Sequence, residues 1–448
     1  MRAKTTTLTG WGRSSHARLD AWRPERSAEI DAAFAVTAGP AGVIAHGGGR
    51  SYGDAALNDG GAAILTQRLD RIVGFDVDTR ELVAEPGVTF RDLMTNFVPR
   101  GFMPPASPGT AFATLGGAAA ADVHGKNHDR HGSFGDHINW LDLLGADGKT
   151  RRVSAIENPD LFAATIGGMG LTGLIRRIAI TLLPGACEMV RVAERPVRDL
   201  DAHLEALFTA REQAHFSVGW VDTMASGAKL GRGIIETAEF APGLAVTPPP
   251  KRRRIPIDLP GFVLNPLSIR AFNHLYGARV PQSGRETIRR LDVFLYPLDA
   301  IHDWNRIYGK RGFYQFQCVI PDAEAPRTIR EMLETVARAG RASFLAVLKT
   351  LGGGGGGMLS FPMRGVTLAL DFPRKPGVED LIAGLNRLAQ ARGGRVYLAK
   401  DALLTRDDFR AMYPRHQEFS ALLERIDPNA RFASDQSRRL GLTPARPR

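Results

Sequence analysis

The spacing of hydrophobic positions changes several times along the chain. Over the first 185 residues, short alternating apolar runs stand between glycine-rich turns, the signature of strands interleaved with short helices. "AGVIAHGGG" (41–49) predicts a strand running into a turn. "RIVGFDVDTRELVAEPGVTFRDLMTNFVPRG" (71–101) predicts a hairpin turning at Asp78 and Thr79, then a helix from Thr89. "WLDLLGADGKTRRVS" (140–154) predicts a second hairpin around Asp147 and Gly148. "NPDLFAATIGG" (158–168) starts with a helix cap, and "LIRRIAITLLP" (174–184) alternates as a strand does.

The region 186–394 has strands and helices of its own, with "LDVFLYPLDAIHDWNRIYGKRGFYQFQCVIP" (291–321) as its clearest core piece. Within it, "APGLAVTPPPKRRRIPIDLPG" (241–261) reads as a proline-rich loop carrying four consecutive cations, Lys251 to Arg254. The hexaglycine Gly352–Gly357 reads as a flexible low-complexity link. From 395 to 448 a strand, an irregular link and amphipathic helices follow. Such mixing predicts an α+β fold rather than a plain doubly wound sheet.

At 448 residues the chain is long enough for two or three domains. A hydrophobic fraction of 44% and a charged fraction of 23% are those of a globular protein. No apolar run is long enough to span a bilayer, and the N-terminus lacks the apolar core of a secretory signal. The expectation is a cytoplasmic protein, or one peripheral to the inner membrane. Cys187 and Cys318 give neither a disulfide framework nor a metal-ligand spacing. The net charge of +11 favours an anionic partner. Nothing in the chain matches a nucleic-acid motif, so no nucleic-acid partner is expected.

Two glycine patterns compete for chemistry. Gly168, Gly170 and Gly173 satisfy the dinucleotide spacing, but a helix precedes them and a strand follows, the reverse of what that motif needs. "HGGGRSYGD" (46–54) is different: successive N–H groups free of Cβ atoms can form a nest for pyrophosphate oxygens. About sixty residues later, "PGTAFATLGGAAAADVHGKNH" supplies a second cradle of small residues. Two such cradles suit a long two-ended cofactor such as FAD.

With these motifs, "GSFGDH", "DLLGADG", "YQFQCVIP" and "AKD…FRAMYPR…FASDQSRRL", the chain resembles the decaprenylphosphoryl-ribose 2-oxidase family, a branch of the vanillyl-alcohol-oxidase (PCMH-type) flavoproteins. The resemblance spans nearly the whole chain in order. It implies a two-domain PCMH-type fold: an FAD domain from residues 1–185, a substrate domain on an antiparallel sheet from 186–394, and a segment, 395–448, returning to the FAD domain. It places FAD against Gly47, Gly48, Gly49, Arg50, Ser51 and Tyr52. The second cradle would add Pro108, Gly109, Thr110, Gly116, Gly117, Ala121, Val123, His124, Gly125 and Asn127, with Gly170, Gly173 and Ile175 completing the set. Arg50 follows the glycines where many superfamily members carry a flavin-linked histidine, so FAD is expected to be non-covalent.

The same resemblance implies oxidation of the C2 hydroxyl of a polyprenyl-phosphoryl ribose to a 2-keto sugar. A short-chain reductase partner would then complete an epimerisation to the arabinose form. Lys400, His124, Lys126 and Tyr52 are the implied catalytic residues, with Lys400 either a base or an electrostatic stabiliser. Gln315, Gln317, Lys349, Tyr296, Trp220 and Thr367 are the implied substrate contacts. Gln315 and Gln317 alternate on one strand and so share a face. Family members typically show Asn-Ile-Cys-Val-Asp-Phe-Pro where this chain has "TLALDFP", placing Thr367 and Ala369 at the asparagine and cysteine positions. An alditol or aldonolactone oxidase on the same fold is the alternative enzyme, and a non-catalytic polyanion- or membrane-binding protein is the alternative class.

Overall fold

The computed structural model describes residues 2–444 apart from 38, 40, 342 and 343. The N-terminal region carries a mixed four-stranded sheet in the order Lys4–Thr9, His16–Trp22, Ala62–Leu65, Val43–His46. An antiparallel five-stranded sheet follows, in the order Ile72–Phe75, Glu81–Ala84, Leu174–Thr181, Ile138–Leu144, Thr150–Ser154. Both predicted hairpins are present, closing Ile72–Phe75 on Glu81–Ala84 and Ile138–Leu144 on Thr150–Ser154. The helix predicted from Thr89 is Phe90–Phe97. Thr89 and Asp92 form a reciprocal capping box that satisfies two otherwise orphaned N–H groups. Asn158 precedes the helix Pro159–Thr165, but it sits at φ 53° and its side chain does not cap. It donates instead to the Arg152 carbonyl, and Pro159 starts the helix without needing a donor.

The largest sheet has eight antiparallel strands in the order Arg285–Arg290, Met189–Val197, Gly233–Phe240, Phe216–Val221, Ala346–Leu351, Gly365–Pro373, Phe313–Pro321, Arg395–Val396. The helices Leu200–Gln213, Ala325–Ala339 and Val378–Ala391 pack along it. Register puts Trp220, Val347, Ala369 and Gln317 on one rung across four strands. Because side chains alternate, Lys349, Thr367, Asp371 and Gln315 project from the same face as that rung. The opposite face is apolar, with Phe316, Cys318, Leu348, Leu368 and Leu370 buried and Cys318 Sγ 3.8 Å from Met332 Sδ of a packed helix.

The hexaglycine is not an open tether. A Cβ on Gly355 would stand 2.0 Å from Asp122 Oδ2, and one on Gly357 2.1 Å from the Ile166 carbonyl oxygen. The Gly352 N–H donates to His128 Nδ1 at 3.0 Å. Glycine is required there because the segment threads between buried groups, a constraint that composition does not display.

The C-terminal segment reaches back across the molecule. Phe432 bridges to Val43, and the Tyr52 N–H donates to the Ala399 carbonyl at 2.9 Å. A Cβ on Gly53 would meet the Asp401 carbonyl oxygen at 2.0 Å, so that contact tolerates only glycine. Arg439 clamps the junction, with two bonds to Asp54 (2.9 and 2.7 Å) and one to Asp401 (2.9 Å). We predict that Arg439→Ala destabilises the FAD-loaded protein by about 3 kcal/mol, because two largely buried carboxylates lose their cation. Thermal unfolding would show a lowered midpoint; an unchanged one would mean that water already solvates both carboxylates.

Candidate active site

A cavity of about 840 Å³ lies between the glycine loop, the eight-stranded sheet and the helix Pro266–Ala278. One wall is the glycine cradle. The loop Gly47–Gly49 leaves the strand Val43–His46 and packs directly on the second small-residue cluster. A Cβ on Gly47 would lie 2.5 Å from Thr114 Oγ1, and one on Gly48 2.4 Å from the Phe112 carbonyl oxygen. Gly49 sits at φ +63°, which favours glycine. Arg50 then stacks between Trp11 and Phe112, its guanidinium carbon 4.2 and 4.9 Å from their ring centres. Its buried Nε has no protein partner.

The second wall is polar and lies on the sheet. Lys400, in the turn after Arg395–Val396, holds its Nζ 3.8 Å from the centre of the Tyr52 ring. Burial lowers its pKa to about 7, with the Asp371 charge opposing the shift and Lys349 adding to it. Lys400 makes no ion pair with its chain neighbour Asp401, whose carboxylate accepts from the Leu403 and Leu404 N–H groups and from Arg439. Burial also lowers Lys349 and Lys126, each to about 8. Lys126 donates to the Phe294 carbonyl and lies 4.0 Å from the Phe294 ring centre, so its ammonium is already engaged.

Gln317 Nε2 lies 3.0 Å from His124 Nε2 and 3.2 Å from Thr367 Oγ1. The amide donates to the imidazole, which places the ring proton on Nδ1. Burial, with Lys349, His128 and Lys400 nearby, pushes the His124 pKa well below its ordinary value, so the ring is neutral. Its buried Nδ1 has no protein partner. Gln315 Nε2 donates to Asp371 Oδ1 at 2.5 Å, and Tyr308 donates to Asp371 Oδ2 at 3.2 Å. Burial raises Asp371 to about 7.

The third wall is apolar: Val263, Leu264, Ile269, Phe272, Trp304 and Phe344. Trp220 belongs to its edge, donating Nε1–H to the Phe344 carbonyl at 3.0 Å and packing on Tyr276.

Of the residues expected at the site, the structure brings all but three to this cavity. The exceptions stand one layer behind the wall, each held by a hydrogen bond. Asn127 donates to the Pro105 carbonyl at 2.8 Å, Tyr296 to Ser107 Oγ at 3.1 Å, and Thr367 is bonded to Gln317. Asp371 was missed by sequence reasoning, although a carboxylate on the otherwise apolar strand "GVTLALDFP" was a usable signal. Trp11 carried no signal, because its role depends on the Arg50 guanidinium lying over it. Among the described residues there is no cluster of side chains able to hold a metal ion.

Comparison with known proteins identifies the first wall. Residues 22–154 match the model of an FAD binding domain family. The chain is 36% identical to decaprenylphosphoryl-β-D-ribose oxidase of Mycolicibacterium smegmatis, over 98% of both chains. It is 35% identical to an uncharacterised protein from the mprA 5′ region of Streptomyces coelicolor, over 79% of this chain and 100% of that one. L-Gulonolactone oxidase of mouse is 26% identical over 31% of each chain. The protein is an FAD-dependent oxidoreductase. The cradle fits that cofactor: its glycines let the two small-residue segments close on each other with no side chain between them, and the unpartnered Arg50 Nε adds a cation beside them. Gly48→Ala, which drives a methyl group into the Phe112 carbonyl, is predicted to abolish the visible flavin band of the purified protein while leaving its far-ultraviolet circular dichroism intact. A normal FAD content would show that the loop can shift to admit a side chain.

Proposed function

The chain belongs to the decaprenylphosphoryl-β-D-ribose oxidase family, and from that membership we propose that it oxidises the C2 hydroxyl of a polyprenyl-phosphoryl ribose to the 2-keto sugar. The observation that carries this reading is the convergence of Lys400, His124, Gln315 and Gln317 on the cavity that also holds the glycine cradle. The apolar wall suits a prenyl chain, and the buried lysines suit a phosphate.

Oxidising a secondary alcohol removes a hydride from carbon and a proton from oxygen. FAD, when bound, supplies the hydride acceptor. The chain must supply the proton acceptor, and Lys400 is suited to it. With its pKa near 7, about half of it is free amine at neutral pH, whereas an ordinary lysine is almost wholly protonated. His124 is not the base, because its lone pair already accepts from Gln317. Gln315 and Gln317 are fixed by Asp371 and by His124 with Thr367, so they can orient sugar hydroxyls without first paying rotamer entropy. The ketone would leave for a short-chain reductase, which would return it as the arabinose epimer.

The test is anaerobic bleaching of the flavin band by polyprenyl-phosphoryl ribose. Lys400→Ala should slow the bleaching by roughly 10²–10⁴-fold with FAD content unchanged. In the wild type, kcat/KM should rise with pH through about 7 and level off above it, as a lowered lysine loses its proton. A fall over that range would make Lys400 a cation that stabilises developing charge. Bleaching by a soluble alditol, with none by the lipid-linked sugar, would overturn the substrate.

A further inference from the structure

A polyprenyl chain resides in a bilayer, so an enzyme acting on one must meet it there. Among the described residues, thirteen large apolar side chains are exposed, and seven of them fall between Leu244 and Leu275. This crowding coincides with the helix Pro266–Ala278, which has two apolar faces. Its inner face sends Ile269, Phe272 and Tyr276 into the cavity wall. Its outer face presents Leu267 and Leu275, with Ala271 between them at helical spacing, and Phe262 precedes the helix. Phe262, Leu267 and Leu275 are 75%, 76% and 71% exposed. A helix with apolar residues on both sides has a partner on each; the cavity accounts for only one.

Charge identifies the other partner. Residues 241–280 contain six lysines and arginines against a single carboxylate, Asp258. Asp258 is already paired with Arg13 and Arg306. Lys251, Arg252, Arg253 and Arg254 are all exposed; Arg254 pairs with Asp303 at 2.8 Å, Arg252 is close enough to Asp299 to oppose the rise in that carboxyl's pKa, and among the described residues none of Lys251, Arg252 and Arg253 makes a salt bridge. Arg270, on the helix itself, is exposed as well. Bare apolar side chains flanked by exposed cations in excess of carboxylates are the composition of a surface that settles into the interface of an anionic bilayer. Among the described residues no helix is long and apolar enough to cross a membrane, so the contact is one of lying on the bilayer.

We propose that Phe262, Leu267 and Leu275, with Lys251–Arg253, dock this face on an anionic lipid bilayer. The helix then shares one side with the lipid and the other with the cavity, so that a prenyl chain can pass from membrane to site along it. The proposal rests on the lipid-linked substrate for its purpose, but its surface chemistry can be tested separately.

The FAD-loaded protein is sedimented with vesicles of phosphatidylcholine alone, and of phosphatidylcholine with phosphatidylglycerol. The wild type should pellet with the anionic vesicles only. Phe262→Ser/Leu267→Ser/Leu275→Ser should weaken that binding by about tenfold or more, and Lys251→Gln/Arg252→Gln/Arg253→Gln should do so most strongly at low salt. Both variants should keep their flavin spectrum and their turnover of a detergent-dispersed substrate, while losing turnover of the same substrate held in vesicles. An environment-sensitive fluorophore at Leu267→Cys should shift to the blue on anionic vesicles. A wild type that ignores anionic vesicles, or an apolar variant that binds as the wild type does, would overturn the docking surface. Vesicle binding without oxidation of any lipid-linked sugar would leave the surface standing and overturn the substrate reading instead.

Discussion

The contact on which the site depends is a backbone one. The Tyr52 N–H meets the Ala399 carbonyl, and Gly53 lies so close to the Asp401 carbonyl that no Cβ fits between them. That seam joins the cofactor loop to a turn almost 350 residues later in the chain. It sets Lys400 over the Tyr52 ring and leaves Asp401 to Arg439 rather than to its neighbour. Were the turn displaced, Lys400 would lose the buried surroundings that lower its pKa, and with them the free amine that the proposed proton transfer needs at neutral pH. The Arg439 clamp therefore positions chemistry it never touches.

Burying three lysines around one cavity has a stability consequence whose sign can be worked out. Lys400, Lys349 and Lys126 have folded values near 7, 8 and 8, below the 10.5 expected in the unfolded chain. Between those values the unfolded state binds more protons, so their contribution to stability rises with pH over that window. Asp371 is raised from 3.8 to about 7, so the folded state binds more protons there, and its contribution falls as pH rises between those values. The two trends meet near pH 7, where Lys400 and Asp371 both change charge. Such poise suits the proton transfer proposed for the site, and it is a strain on the fold that an apolar core would not carry.

Much of this was legible in the chain because the signals were local. Turn residues and period-two alternation marked both hairpins, Thr89 marked its helix, and a glycine triplet followed by arginine marked the cradle. The reversed order of helix and strand around Gly168–Gly173 was enough to reject a nicotinamide site, yet Gly170 and Gly173 still border the cavity through tertiary packing. What could not be read depends on partners distant in sequence. The hexaglycine looked like a tether because composition says nothing of Asp122 and Ile166 pressing on it. Asn158 looked like a cap because its alternative acceptor, the Arg152 carbonyl, is apparent only once the neighbouring hairpin has formed. Tyr296 looked like a sugar contact, but it stands behind the wall with its hydroxyl donated to Ser107, which itself borders the cavity.

The register of the large sheet explains how one framework can keep its reaction and change its substrate. Trp220, Val347, Ala369 and Gln317 form one rung, and the next positions along the same face are Lys349, Thr367 and Val319. Ala369 borders the cavity, so replacing a cysteine there by alanine enlarges the space beside Gln317 without removing any group that moves a proton. Thr367 does not border it; its hydroxyl accepts from Gln317 and thereby helps to fix the amide's direction. An asparagine in that place could bond the same amide from a longer side chain and turn it differently. On the proposed reading, substitutions on this rung and the next would act on the sugar through the shape of the floor and the pose of one glutamine. Lys400 and the glycine cradle belong to other elements and are left undisturbed. On the proposed reading, sugar preference would be set mainly on the sheet and the proton and hydride chemistry mainly at Lys400 and the cradle, with Gln317 joining the two through His124.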